Sequence, residues 1–286
     1  MGKVIFENFK TLEELIDTVE SRPYNKIWET GEKASQRTTD KSWYGTENYA
    51  ESIELIKNGY KEPLERLKRE LFKINKQTSV SKPKLTTNVV GFAPHIPNAL
   101  QGIPTSMITR ENRQEKTKTI HLMYGFSAIG DISGTDLIQG GTKFIGLVNS
   151  LELSGYRVKL DIVRCTTATP SDAIGFTVNL KQYTQKLNLL KLCYPLVHPS
   201  MLRRTSFKWG ETLPNLEDGR YYGGHGSTLV VRMGWRQNRE LAYQKEKEFL
   251  KKHGVIKEKN SYYCNVYEAM SAKNVNELAK KIGLVK

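Results

Sequence analysis

The chain has 286 residues, enough to bury one large core or two modest ones. Lys and Arg total 44 against 30 Asp and Glu, and the resulting net charge of +14 favours a polyanionic partner, either nucleic acid or an acidic protein face. Three widely spaced cysteines, Cys165, Cys193 and Cys264, fit neither a zinc site nor a disulfide framework. No apolar run reaches the length of a signal-peptide core or a membrane span, so a cytoplasmic protein with reduced thiols is expected.

Residues 11–20 read as a short helix: Thr11 can cap it, and Leu12, Leu15, Ile16 and Val19 recur at helical spacing. A second helix follows Trp43-Tyr44-Gly45-Thr46, with Thr46 as its cap, Tyr49, Ile53 and Ile56 inward, and Gly59 as its stop. A third, over 63–76, opens on proline and carries Leu64, Leu67, Leu71 and Ile74 as its stripe. Between residues 57 and 84, nine Lys or Arg stand against three Glu, which makes this the strongest polyanion-facing strip unless it is simply a solvated helix face. The segment 89–108, with three prolines and two glycines among apolar residues, reads as an irregular wall of the core, and its His95 as structural.

From Thr119 the pattern becomes strand, helix, strand. Residues 119–127 read as a buried strand, 137–154 as a helix whose Gly140, Gly141 and Gly146 allow close approach, and 156–164 as the next strand in a parallel crossover. Residues 174–180 add a third strand. Later come a helix starting at Pro199, the loop Gly223-Gly224-His225-Gly226 before a strand at 227–233, a basic helix over 239–253 with sparse apolar contacts, and a helix at 274–282 capped by Asn274. The expected fold is therefore α/β, a mainly parallel open sheet flanked by helices. Its divisions are a helical N-terminal region (1–86), an α/β core (87–235) and a basic helical C-terminal extension (236–286).

Four stretches together resemble a family of tailed-phage and prophage proteins with no assigned function: Trp43-Tyr44-Gly45-Thr46, the segment 91–107, the strand-helix-strand through Leu151-Glu152-Leu153-Ser154-Gly155-Tyr156, and His198-Pro199-Ser200-Met201-Leu202-Arg203-Arg204. The resemblance implies a phage-encoded protein working in the host cytoplasm. The central part also resembles a von Willebrand factor A domain, in which a strand ends in Asp-x-Ser-x-Ser and the following helix ends in Glu-x-x-Gly. That resemblance implies a magnesium-type oxygen site at the carboxyl edge of the sheet, drawn from Ser127, Asp131, Ser133 and Asp136, with His198 and Glu211 as distant contributors. Counting back from Glu152 and Gly155, however, puts Ser127 where the leading Asp belongs.

The other chemical signals are incomplete. Gly223-Gly224-His225-Gly226 lacks the Lys-Ser/Thr ending of a phosphate loop, and Gly125-x-Ser127 lacks the closing glycine of a nucleophile elbow. Arg203 and Arg204 fall in the first turns of a helix, where their charge opposes the helix dipole, so each needs an external anion or a carboxylate such as Glu211. The leading expectation is a non-enzymatic nucleic-acid-binding protein using Lys68, Arg69, Lys73, Lys76, Arg203, Arg204, Arg220, Arg232 and Arg236, with no cofactor. Two alternatives stay open: a structural or host-directed interaction protein, including a homo-oligomer, and a phosphodiester enzyme dependent on a divalent metal, magnesium or manganese.

Overall fold

The computed structural model describes residues 4–29, 32–38, 40–62, 64–65, 68–69, 85–110, 118–167, 173–214, 225–229, 232–233, 236–237, 239–257 and 259–285. Its centre is a five-stranded sheet of β1 (Val4–Phe9), β2 (Thr119–Gly125), β3 (Arg157–Thr167), β4 (Ala173–Lys181) and β5 (Ser261–Asn265). The strands lie in the order β1-β4-β3-β2-β5. Three of the four pairings are parallel, and β3 with β4 is antiparallel. The fold is α/β with a mainly parallel sheet, as the sequence pattern implies.

Helices α1 (Leu12–Ser21), α2 (Tyr49–Asn58), α3 (Gly134–Leu153), α4 (Leu189–Val197), α5 (Arg239–Lys252), α6 (Val266–Ser271) and α7 (Val275–Lys281) surround it. Strand alternation sorts the core into two clusters. Leu122, Tyr124, Leu160, Ile162, Phe176 and Val178 pack with α3, α4, α6 and α7, while Met123, Val163, Cys165 and Tyr263 pack with Tyr243, Phe249 and Leu250 of α5. Each fully buried Leu, Ile or Phe here stabilises by about 1.5–3 kcal/mol.

Local chemistry fixes the helix starts. Thr11 accepts the Glu14 N–H at the head of α1, and Ser133 and Asp136 form a reciprocal capping box on α3. Glycine lets α3 approach α4, since a Cβ at Gly141 would sit 1.9 Å from the Leu196 carbonyl oxygen. At the far end of α3, Glu152 accepts the Val158 N–H at 2.9 Å and the buried Lys181 ammonium at 2.7 Å, tying the helix end to β3 and β4. On the α5 side of the sheet, Asp161 accepts from His121 and from Asn179, each at 2.6 Å, so this buried carboxylate is paired across three strands.

Several expectations are corrected. The outer strands β1 and β5 come from the two regions expected to be helical, so all three divisions contribute to one sheet. β4 is antiparallel because the link from β3 is too short for the crossover that parallel pairing needs. The cap of α2 is Asn48, not Thr46, whose hydroxyl is buried against Ser200 at 3.0 Å. Within the segment expected as a strand at 227–233, the described strand is only Arg232–Met233, paired with Arg236–Gln237. α5 is no weakly attached helix, because it buries Ala242, Tyr243, Glu246, Phe249 and Leu250.

The largest correction concerns 85–110. This segment forms its own antiparallel sheet of Leu85–Asn88, Ala93–Pro94 and Met107–Arg110, and none of its side chains belongs to either buried cluster. Seven of the eleven large apolar side chains exposed among the described residues lie on it: Leu85, Val89, Val90, Phe92, Ile96, Leu100 and Ile103. It is an exposed arm and not a wall of the core. His95 caps its short helix, accepting the Asn98 N–H through Nδ1.

Candidate functional site

Beyond the carboxyl end of β2 lies a cleft of about 450 Å³, floored by the loop Ala128–Gly130 and walled by residues from 34–44, 202–207 and 225–227. The second wall is a π-helical turn, Met201–Ser206, which continues directly into the short helix Phe207–Glu211. Such turns are rare and often mark functional sites.

Two of the motifs read separately in the sequence meet here. The short helix Lys41–Tyr44 is capped by Asp40, in left-handed conformation at φ 64°, and stopped by Gly45 at φ 82°. It sets Trp43 and Tyr44 side by side, and the guanidinium groups of Arg203 and Arg204 lie over their rings at 3.9 Å each. A side chain at Gly45 would need both a strained backbone and the space of His198, whose ring is 2.9 Å from a Cβ built there.

Both arginines are almost wholly buried. All five N–H donors of Arg204 are engaged, by the carbonyls of Ser35, Arg37, Thr46 and Glu47 and by the Thr46 hydroxyl. Arg203 differs: it donates to the carbonyls of Trp43 and Ile132, using two donors of five, and its side chain lines the cleft. Among the described residues no carboxylate oxygen lies within ion-pair distance of either arginine. Burial pushes Arg203 down to about 10, with Asp40 opposing that shift. Arg164, on β3 and fully buried, donates to the carbonyls of Ser206 and His225 behind the cleft.

The acidic and imidazole groups around the cleft are shifted by the same burial. Glu211, the expected partner of the arginine pair, instead accepts from the backbone N–H and hydroxyl of Ser35, and burial raises its carboxyl. His225 stands 3.8 Å from Glu211, with its ring between Trp28 and Phe207. Burial, reinforced by Arg164 and Arg37, holds it down at about 3, so it is neutral at ordinary pH. Asp40 is exposed, accepts from Ser42 and the Trp43 N–H, and is lowered by those bonds.

A family model described as a domain of unknown function (DUF7192) matches residues 2–285. The chain belongs to that family. No curated protein and no solved structure matches it. The matched residues run through all three expected divisions.

The expected site residues are scattered. Lys68 and Arg69 are exposed, and Lys68 pairs with Glu65 at 2.7 Å. Lys73, Lys76 and Arg220 lie outside the described residues, as do the side chains of Arg232 and Arg236. Arg203 and Arg204 are corrected from surface contacts to buried groups, held by backbone carbonyls that take two donors of Arg203 and four of Arg204.

The oxygen set Ser127, Asp131, Ser133 and Asp136 does not fit a magnesium ion. Ser127, in place of the leading carboxylate, donates to the Cys165 carbonyl, and Ser133 and Asp136 are spent on each other as a helix cap. Asp131 is exposed, and His198 is buried against Tyr194 and Tyr60, where burial lowers it to about 4. Among the described residues no group of three or more His, Cys, Asp or Glu gathers to hold a metal ion. No described helix is long and apolar enough to cross a membrane.

Sequence reasoning missed Arg37, Asp40 and Arg164. Asp40, three residues ahead of Trp43, carried a readable cap signal; the other two carried none.

Proposed function

We propose that this chain is a non-enzymatic binding protein that docks on an acidic protein through the arm 85–110. The observation that carries the reading is the apolar surface of that arm, with Val90 at 78 % and Leu100 at 84 % exposure. A soluble protein rarely leaves so many large apolar side chains in water on one small element unless something covers them. The net charge of +14 opposes contact between two copies and favours an acidic partner. The resemblance to tailed-phage and prophage proteins supports seeking that partner in the host cytoplasm. The strand-helix-strand of β2, α3 and β3, with Glu152 and Gly155 at the helix end, supports reading the sheet as a degenerate von Willebrand A-like scaffold.

A photo-reactive residue in place of Phe92 or Leu100 should crosslink to one acidic protein, with excess unlabelled protein competing. The same residue at exposed Lys251 should not. Crosslinks only to a second copy would replace the acidic partner by self-association, and no crosslink at either arm position would end the docking reading.

A second reading rests on the charge alone: a polyanion surface centred on the strip that includes Lys68 and Arg69. Replacing Lys68, Arg69, Lys73 and Lys76 together should weaken nucleic-acid binding and flatten its salt dependence. If the unaltered protein shows no salt-sensitive binding to single- or double-stranded nucleic acid, that reading fails.

A further inference from the structure

The cleft beyond β2 raises a question that the arm does not answer. Arg203 is 1 % exposed, yet three of its five donors take no partner among the described residues, and its side chain forms part of the cleft wall. A buried guanidinium with spare donors is costly unless something accepts from them. Arg37 lines the same space with its side chain half in solvent and makes a 3.2 Å ion pair to exposed Glu32. Among the described residues, Arg37, Arg164, Arg203 and Arg204 stand in and immediately behind the walls, with Asp40 and Glu211 beside them and Glu32 paired to Arg37. Among the described residues Asp40 is the one negative group lining the cleft itself, and its Oδ1 is already occupied by Ser42 and the Trp43 N–H. Much of the remaining lining is aromatic, with Trp43 and Phe207 inclined at 49° and Phe207 and His225 at 43°, beside Leu202 and small residues. The volume of about 450 Å³ falls within the usual range for small-molecule sites.

We propose that this cleft binds a small oxyanion carried on a flat ring, with the oxyanion on Arg203 and Arg37 and the ring against Trp43 and Phe207. The planar fork of Arg203 suits phosphate and carboxylate equally, so a nucleoside monophosphate and an aromatic carboxylate share the chemistry. The site is separate from the arm and does not depend on what the arm binds.

Calorimetry on the full chain tests it with adenosine 5′-monophosphate, adenosine, benzoate, inorganic phosphate and, as a cationic ring of similar size, benzamidine. Adenosine 5′-monophosphate or benzoate should bind with Kd of millimolar or tighter, and benzamidine should not. Binding of the nucleotide alone would assign phosphate as the source, and of benzoate alone carboxylate. Arg37→Gln, at an exposed position that leaves the fold intact, should weaken binding about tenfold, the loss of one charge-assisted bond. Arg203→Met should abolish it where the variant folds. Heat from neither ring anion, or equal binding of benzamidine, would overturn the proposal. Inorganic phosphate binding as tightly as the nucleotide would overturn the ring's part in it. Unchanged affinity in Arg37→Gln would exclude this cleft as the site.

Discussion

The arm 85–110 and the arginine-lined turn 201–206 invert the usual division of a protein into apolar inside and charged outside, and they do so in opposite directions. Phe92 and Leu100 stand in water, while Arg203 and Arg204 stand in the core. The Arg204 charge is tolerated because the backbone of 35–47 turns its carbonyls toward it, so its polarity is matched donor by donor, while Arg203 next to it is matched at two donors of five. On the arm, Val90 and Leu100 remain 78 % and 84 % exposed, and no side chain of the arm joins either buried cluster of described residues. Arg204 is therefore satisfied and structural, whereas Arg203 and the arm each leave something for a partner to meet.

This contrast predicts unequal responses to substitution. Arg204→Met removes all five donors and strands four carbonyls. It should cost about 3–5 kcal/mol, seen as a lower midpoint in urea unfolding. A loss under about 1 kcal/mol would mean that water replaces the guanidinium and that the turn is not closed.

Glu246 of α5 gives the next effect. It is buried on the smaller cluster, accepting from Tyr263 at 2.9 Å and Asn265 at 3.2 Å, and burial raises its carboxyl to about 7. Below its unfolded value of 4.5 both states hold the proton and the contribution is fully present. Between there and about 7 the unfolded chain releases the proton first, so stability falls as pH rises, by about 3 kcal/mol in all. Urea midpoints at pH 4.5, 6 and 8 should show that fall, and Glu246→Gln should flatten it. An equal slope in the variant would assign the pH dependence elsewhere.

The smallest effect belongs to the arm. Val90→Ser, Phe92→Ser and Leu100→Ser together should change stability by less than about 0.5 kcal/mol, since none of the three packs in either core cluster. A loss of several kcal/mol would show that the arm is part of the fold after all and would remove its claim as a docking surface.

The same contrast separates what the sequence made legible from what it did not. β2, α3 and β3 could be read because apolar runs, glycines and turn signals are local. The antiparallel direction of β4 could not be read from alternation, which is the same for either direction. Ser133 and Asp136 carry the capping-box spacing as plainly as an ion motif, and the structure uses them as the cap. The burial of Arg203 and Arg204 was hidden because their acceptors lie about 160 residues away in the chain. For 89–108, apolar content marked surface that needs covering, but periodicity carries no information on what covers it.

The order of the sheet also sets a timetable for vectorial synthesis. β5, at residues 261–265, pairs with β2, at 119–125, so the inner strand leaves the ribosome long before its neighbour exists. During that interval the row of N–H and C=O groups along β2, beside Leu122 and Tyr124, is an open edge able to pair with another nascent chain. A chain stopped before residue 261 would keep that edge open permanently. Premature termination between β2 and β5 would therefore yield an aggregating product and not a shortened working one.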